Sequence, residues 1–257
     1  THYGHISHLE GTSSMFSALV HSEVLVRNPR LLDLDFFVHR LDVAGALGHR
    51  NGETSLTYNE NTHLTLNAVL ESCQVALQES KAEVDAYASY LQKRALLSGF
   101  KVTDAVGELF VKVLAMCRIY NGDARVDEFL KVFNEELLKS PRIKIFLNVF
   151  CDRGSLKIGK TPTYMPAFLL NLYGNETFGE SGAKRVLLEG IPFLAKVIDV
   201  QGIITKGEAS SVPLNFNKMA ERAKTCSAEL LKGGVSINPD TGEVDIVIFH
   251  ETDVSEE

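Results

Sequence analysis

Tryptophan is absent from the 257 residues, and only four cysteines and seven prolines are present. Without tryptophan, the large core side chains must come from the leucines and the 14 phenylalanines. Cys73, Cys117, Cys151 and Cys226 are far apart in sequence, form no CxxC pair and have no histidine at zinc-finger spacing, which argues against a cysteine-built zinc module. Cys73 and Cys117 lie inside apolar helical patterns, so reduced, buried thiols in a cytoplasmic compartment are expected. No stretch reaches the roughly 18 consecutive apolar residues of a membrane-spanning helix, so a soluble protein with no membrane partner is expected. The first residues also lack the basic-then-apolar order of a secretory signal. Positive charge is not in excess: the net charge is -7, which excludes a basic coat over the whole surface but leaves room for a local basic groove.

Complete catalytic motifs are missing as well. There is no G-x-S-x-G and no H-E-x-x-H. Cys151 and Asp152 follow a candidate strand, and His21, His39, His49 and His63 could in principle serve a nucleophile, but no spacing brings any of them to Cys151. Asp33, Asp35 and Asp42 read as surface positions of a short amphipathic segment rather than a general acid and base. His2, His5 and His8 recur at i, i+3 and i+6, a spacing that could meet a transition metal, yet no nearby Cys or Asp completes a tetrahedral set. No catalytic residue is assigned, no metal or cofactor is expected, and the balance leans away from an enzyme.

What is present describes an ordinary globular chain, 45% hydrophobic and 23% charged, long enough for one large domain or two small ones. Residues 1–60 read as irregular, an N-terminal arm that completes a core or reaches a neighbouring subunit. Within them, 23–27 (EVLVR) and 54–58 are strand candidates, and 31–47 fits a short helix. Residues 62–98 carry the clearest helical signal, one long helix or two in tandem: Leu66, Val69, Leu70, Cys73, Ala76 and Leu77, continued by Val84, Tyr87, Ala88, Leu91 and Ala95, with Gly99 as a stop. A second helix follows, capped by Thr103, with Val106, Leu109, Phe110, Val113, Leu114 and Cys117 on its buried face. A third, capped by Asp123, buries Val126, Phe129, Leu130, Phe133 and Leu137 and ends at Pro141.

These three helices predict a bundle over about 62–140. The period then changes, because Ile143, Ile145, Leu147, Val149 and Cys151 alternate as in a half-buried strand. Short helices are expected at 165–173 and 181–200, broken by Gly174, Gly190 and Pro192, with QGIIT (201–205) as a brief strand. A last helix spans 215–232. Asn238-Pro239-Asp240 and Thr241-Gly242 then turn a C-terminal β-hairpin. The expected class is α+β, predominantly helical: the bundle packs on a smaller mixed region. Residues 61–257 form a single α-rich globular domain with a possible sub-boundary near 140.

Ligand chemistry concentrates at 139–161. Lys139, Arg142, Lys144, Arg153, Lys157 and Lys160 face a single acid, Asp152, giving +6 and -1, or +5, in a chain of net -7. A focused basic strip of this kind suits the phosphates of RNA or another polyanion, with Arg142, Lys144, Arg153, Lys157 and Lys160 as the contacts and Tyr164 and Phe168 as stacking surfaces. The same stretch holds GSLKIGKT, in which Gly154, Gly159, Lys160 and Thr161 fit the phosphate-binding loop G-x-x-x-x-G-K-[ST], with Asp199 as an imitation of the Walker-B carboxylate and a Mg-nucleotide as the implied ligand. Against it stand Pro162 and Pro166 where a helix must begin, and the few strand candidates after Thr161. The first expectation is therefore a non-enzymatic structural or assembly protein, a homo-oligomeric coat- or nucleocapsid-like subunit with a basic strip. A nucleotide-binding protein and a protein–protein adaptor without small ligand are the alternatives.

Overall fold

A computed structural model describes residues 3–78, 83–102, 104–120, 122–141, 143–144, 162–205 and 212–247. They are predominantly helical, with one two-stranded antiparallel sheet close to the C-terminus, and the class is α+β as expected. The chain divides into two compact units, Thr1–Val126 and Asp127–Glu257.

Among the described residues the regular elements of the first unit are all helices: α1 (Tyr3–Ser7), α2 (Thr12–Val20), α3 (Glu23–Arg27), α4 (Arg30–Gly45), α5 (Glu60–Ala76), α6 (Glu83–Leu96) and α7 (Ala105–Met116). Residues 3–45 are therefore largely helical rather than irregular, while 46–59 run through turns and bends. Four helices occupy positions 3–45, and Tyr3, Ile6, Leu9, Phe16 and Leu19 are buried. The segment EVLVR is helical rather than extended because local capping outweighs its β-branched composition. Ser22 Oγ accepts a hydrogen bond from the Leu25 N–H at 3.4 Å, and Arg27 pairs with Glu23 one turn back at 3.2 Å. Residues 54–58 form no strand either; they run through bends held by Asn51 and Ser55 side chains.

α5 and α6 pack on each other, α2 lies on both, and α1 rests on α5. α7 is buried on all sides from Leu109 to Met116, as a helix in the centre of a core must be. Asp104, beside the expected Thr103, caps it by accepting from the Gly107 N–H at 2.8 Å. Gly99 follows α6 with φ +77°, the left-handed conformation of a helix stop.

The second unit contains most of α8 (Arg125–Val132), which runs into a π-helical turn, Phe133–Leu137. Asp123 caps α8, accepting from the Arg125 N–H at 3.0 Å. Next come a helix at Met165–Gly174 and a continuous helical run composed of Gly182–Lys184, a π-helical turn Arg185–Gly190 and Ile191–Ile204. Gly190 and Pro192 do not interrupt this run. A Cβ on Gly190 would meet Leu172 Cδ2 at 2.8 Å, so the glycine is a notch for the facing helix. The π-helical turn accommodates the missing N–H of Pro192. QGIIT, expected as a strand, continues this helix to its end, with Thr205 as the cap. Ile143 and Lys144, also expected in a strand, form a helical turn, their N–H groups bonding Ser140 and Pro141 carbonyls at 3.1 and 3.2 Å.

Short helices at Asn217–Arg222 and Ala228–Lys232 precede the expected hairpin, β1 (Gly234–Ile237) against β2 (Val244–Val247), with Val235 opposite Ile246. Asn238 closes its turn, Oδ1 accepting from the N–H groups of Asp240 and Thr241 at 2.9 and 3.1 Å.

Candidate interaction face

The largest departure from hydrophobic burial in the described residues is on α4. Its sequence, RLLDLDFFVHRLDVAG, places apolar side chains on two opposite sides. The inner side carries Leu32 and Phe36, both buried. Phe36 meets the Tyr3 ring with centroids 4.0 Å apart, and Tyr3 also lies edge-on to His39 at 5.3 Å. Tyr3 Oη donates to the Asp35 carboxylate, and Arg40 Nη2 donates to Asn67 Oδ1 at 2.5 Å. These contacts fix the rotation of α4 about its axis, and so decide what its other side shows to solvent.

That side carries Leu31, Leu34, Phe37, Val38 and Leu41, exposed by 36, 59, 57, 55 and 57%. The spacings of three and four residues along 31, 34, 38 and 41 place them in one stripe. Neighbouring α3 adds Val24 and Val26, and the segment after α4 adds Leu47 and Leu56, all exposed. Complete burial of a side chain of this size is worth about 1.5–3 kcal/mol. Five half-exposed ones on α4 therefore leave roughly 4–8 kcal/mol of hydrophobic free energy unrealised. Exposed apolar residues scattered singly need no explanation, but a contiguous stripe marks a contact surface.

Of the residues singled out in the sequence, Lys144 is exposed after a helical turn. Arg142, Arg153, Lys157 and Lys160 of the basic strip, and Gly154, Gly159 and Thr161 of the loop pattern, lie outside the described residues, as does Cys151. Asp199 lies on the exposed side of the helix Ile191–Ile204. A Walker-B carboxylate ends a strand of a parallel sheet, and the sheet among the described residues is an antiparallel hairpin.

Among the described residues no group of three or more His, Cys, Asp or Glu side chains is placed to hold a metal ion. Cys73, Cys117 and Cys226 are buried and free of disulfides. Burial pushes the first two thiols up to about 12 and raises the third, so none is poised as a thiolate.

A family model matches residues 14–226, most of the chain. The chain belongs to the DUF6829 family. Its description is a family of unknown function, and the match takes in α3, α4 and the 139–161 region while stopping before the C-terminal hairpin. No curated protein and no solved structure matches the chain. No helix among the described residues is long and apolar enough to cross a membrane.

Two polar clusters in the interior complete the electrostatics. In the first unit, the Arg94 guanidinium is fully buried. It donates from Nη1 to Ser98 Oγ at 2.7 Å and from Nη2 to the Ile119 carbonyl at 2.6 Å, and lies 4.4 Å from the Tyr120 ring centre. Among the described residues its Nε meets no hydrogen-bond partner. His8 feels this cluster: burial first, then the charges of Arg118 and Arg94 and the neighbouring His5, push its pKa down to about 3.

In the second unit, Glu128 accepts from the Ala183 N–H at 2.9 Å and from Tyr173 Oη at 2.8 Å. Burial pushes Glu128 upward, but these bonds, one from Ser181 and the charge of Arg185 outweigh it and hold the carboxyl below its usual range. Both clusters join helices within their own unit, and neither assembles a nucleophile with a base.

Proposed function

We propose that this chain is a structural protein that works by assembly, and that the outer side of α4 is its contact surface. The observation that carries the reading is the stripe of Leu31, Leu34, Phe37, Val38 and Leu41 turned away from the core that the opposite side of the same helix completes. Among the described residues the thiols, histidines and acids assemble no catalytic constellation that competes with it.

Sedimentation velocity of the full chain tests the reading, comparing wild type with a Leu34→Glu/Leu41→Glu variant. Both positions are more than half exposed, so the variant keeps its helical circular dichroism. The wild type is expected to sediment well above the 28.3 kDa of one chain at micromolar concentration, and the variant to return to that mass. A wild type that stays monomeric throughout, or a variant that assembles unchanged, refutes it.

The local charge of +5 over residues 139–160 favours a second component, contact with RNA phosphates by Arg142, Lys144, Arg153, Lys157 and Lys160. Such contacts give salt-dependent affinity with little sequence choice. They suit a coat- or nucleocapsid-like subunit, in which protein contacts supply the lattice and a basic strip holds the nucleic acid.

A further inference from the structure

We infer that the occupant of the α4 stripe is the α4 of a second copy of this chain, packed parallel to it about a two-fold axis running along the pair. The inference rests on the assembly reading above and gives it an interface and a direction.

Leu31, Leu34, Val38 and Leu41 follow the alternating three-four spacing of a heptad seam, with Leu31 and Val38 at a and Leu34 and Leu41 at d. In that register the core-facing Leu32 and Phe36 fall at b and f, away from the seam. One helix can therefore serve the fold and the pair at once. The edges of the seam decide direction. On the e edge stand Asp35 and Asp42, and on the g edge stand Arg30 and Phe37.

An antiparallel pair sets each edge against its own kind, so Asp35 and Asp42 would face the same acids of the other copy. A parallel pair sets g against e, which brings Arg30 of one copy to Asp35 of the other, twice by symmetry. Among the described residues Arg30 has no ion-pair partner and Asp35 accepts from Tyr3 Oη alone, which leaves acceptor capacity on its carboxylate. A neighbouring cation, Arg27, is already held by Glu23 at 3.2 Å and serves as an internal comparison.

Disulfide trapping in the full chain reads the direction. In a parallel pair the two Leu34 positions share a d layer; in an antiparallel pair Leu34 meets Val38 of the other copy. Leu34→Cys is oxidised alone and, mass-tagged, mixed with Val38→Cys, with the wild type reporting any bridge from native cysteines. The 34–34 bridge is expected to exceed the 34–38 bridge at least tenfold. Arg30→Glu is expected to weaken the dimer about threefold, and Arg27→Glu to leave it unchanged.

A predominant 34–38 bridge, or neither bridge in a protein that sediments as a dimer, overturns the parallel pair and leaves the assembly reading standing. A wild type that is monomeric at all concentrations overturns both.

Discussion

Acidification tests the buried cationic cluster of the first unit through His8. Its pKa is pushed from the usual 6.5 down to about 3 in the folded chain. The folded state therefore keeps the ring neutral where the unfolded state takes up a proton. Above pH 6.5 neither state holds that proton and His8 contributes nothing to pH dependence. As the pH falls below 6.5 the unfolded state binds it first, so stability is lost by about 1.4 kcal/mol per pH unit until the folded ring also titrates near pH 3. Between pH 7.5 and 5 the loss is about 2 kcal/mol, and the complete loss at low pH about 5 kcal/mol.

The upper part of this window is the useful one, because carboxylates remain ionised there and other histidines are common to both proteins compared. Urea unfolding followed by circular dichroism, for wild type and His8→Gln at pH 7.5, 6.5, 5.5 and 5, isolates the term. The wild type should lose about 2 kcal/mol more than the variant over that range. Equal losses in the two proteins, or a His8 ring resonance that titrates near 6.5, would falsify the account of a histidine held neutral by burial and by Arg118 and Arg94.

Arg94→Ala should destabilise the chain by about 3–5 kcal/mol in urea unfolding, since it removes two charge-assisted hydrogen bonds, strands the Ile119 carbonyl and leaves a cavity. Arg94→Met, which fills the space without burying a charge, should cost clearly less than Arg94→Ala. Glu128→Ala should cost about 1.5–3 kcal/mol by freeing the Ala183 N–H and Tyr173 Oη. Because the Glu128 pKa is lowered on folding, its contribution should be complete above the ordinary carboxylate range and fade as the pH falls through its folded value, which a Glu128→Gln comparison between pH 6 and 3 would show. Lys157→Glu/Lys160→Glu should weaken RNA binding at low salt and reduce its salt dependence, with each lost phosphate contact lowering the log–log slope by about 0.7. Millimolar ATP or GTP with Mg²⁺ should leave the thermal midpoint unmoved; a rise would favour the nucleotide reading of Gly154 to Thr161.

Periodicity made much of the fold legible. Leu66, Val69, Cys73 and Ala76 of α5, Leu109, Phe110, Val113 and Leu114 of α7, and Phe216, Met219, Ala220 and Ala223 near the hairpin are buried as their spacing requires. The turn chemistry of Asn238 to Gly242 placed the hairpin. On α6 the core face is only half legible in the spacing. Leu91 and Ala95 are buried, but Ala88 is exposed, and the remaining core positions are Ala86, Tyr90 and Arg94. An arginine scores as polar in any hydrophobic pattern, and only its satisfied Nη groups and the Tyr120 ring make its burial tolerable. Short helices are illegible in the sequence for a related reason. EVLVR and QGIIT have β-branched composition, whereas their state is decided by a cap at Ser22 in one case and by continuity with the preceding helix in the other.

The candidate site was hidden by a different feature of the same sequence. In LLDLDFFVHRLDV the apolar residues surround most of the helix, so no single stripe stands out, and the three aspartates suggest an ordinary surface segment. Sorted by direction, the pattern is two stripes: Leu32 and Phe36 toward the core, and Leu31, Leu34, Phe37, Val38 and Leu41 away from it. A helix with one apolar side needs one neighbour, and a helix with two needs two. α1 and α5 of its own unit supply contacts on the first side through Tyr3 and Asn67. Among the described residues of that unit the second side remains in water. Asp35 and Asp42 border it, and acids at the edge of an exposed apolar stripe keep a free chain from indiscriminate association while still admitting a surface that offers a cation in register. Arg30 is such a cation, carried by the same helix, and the stripe is thus complementary to itself in one direction only.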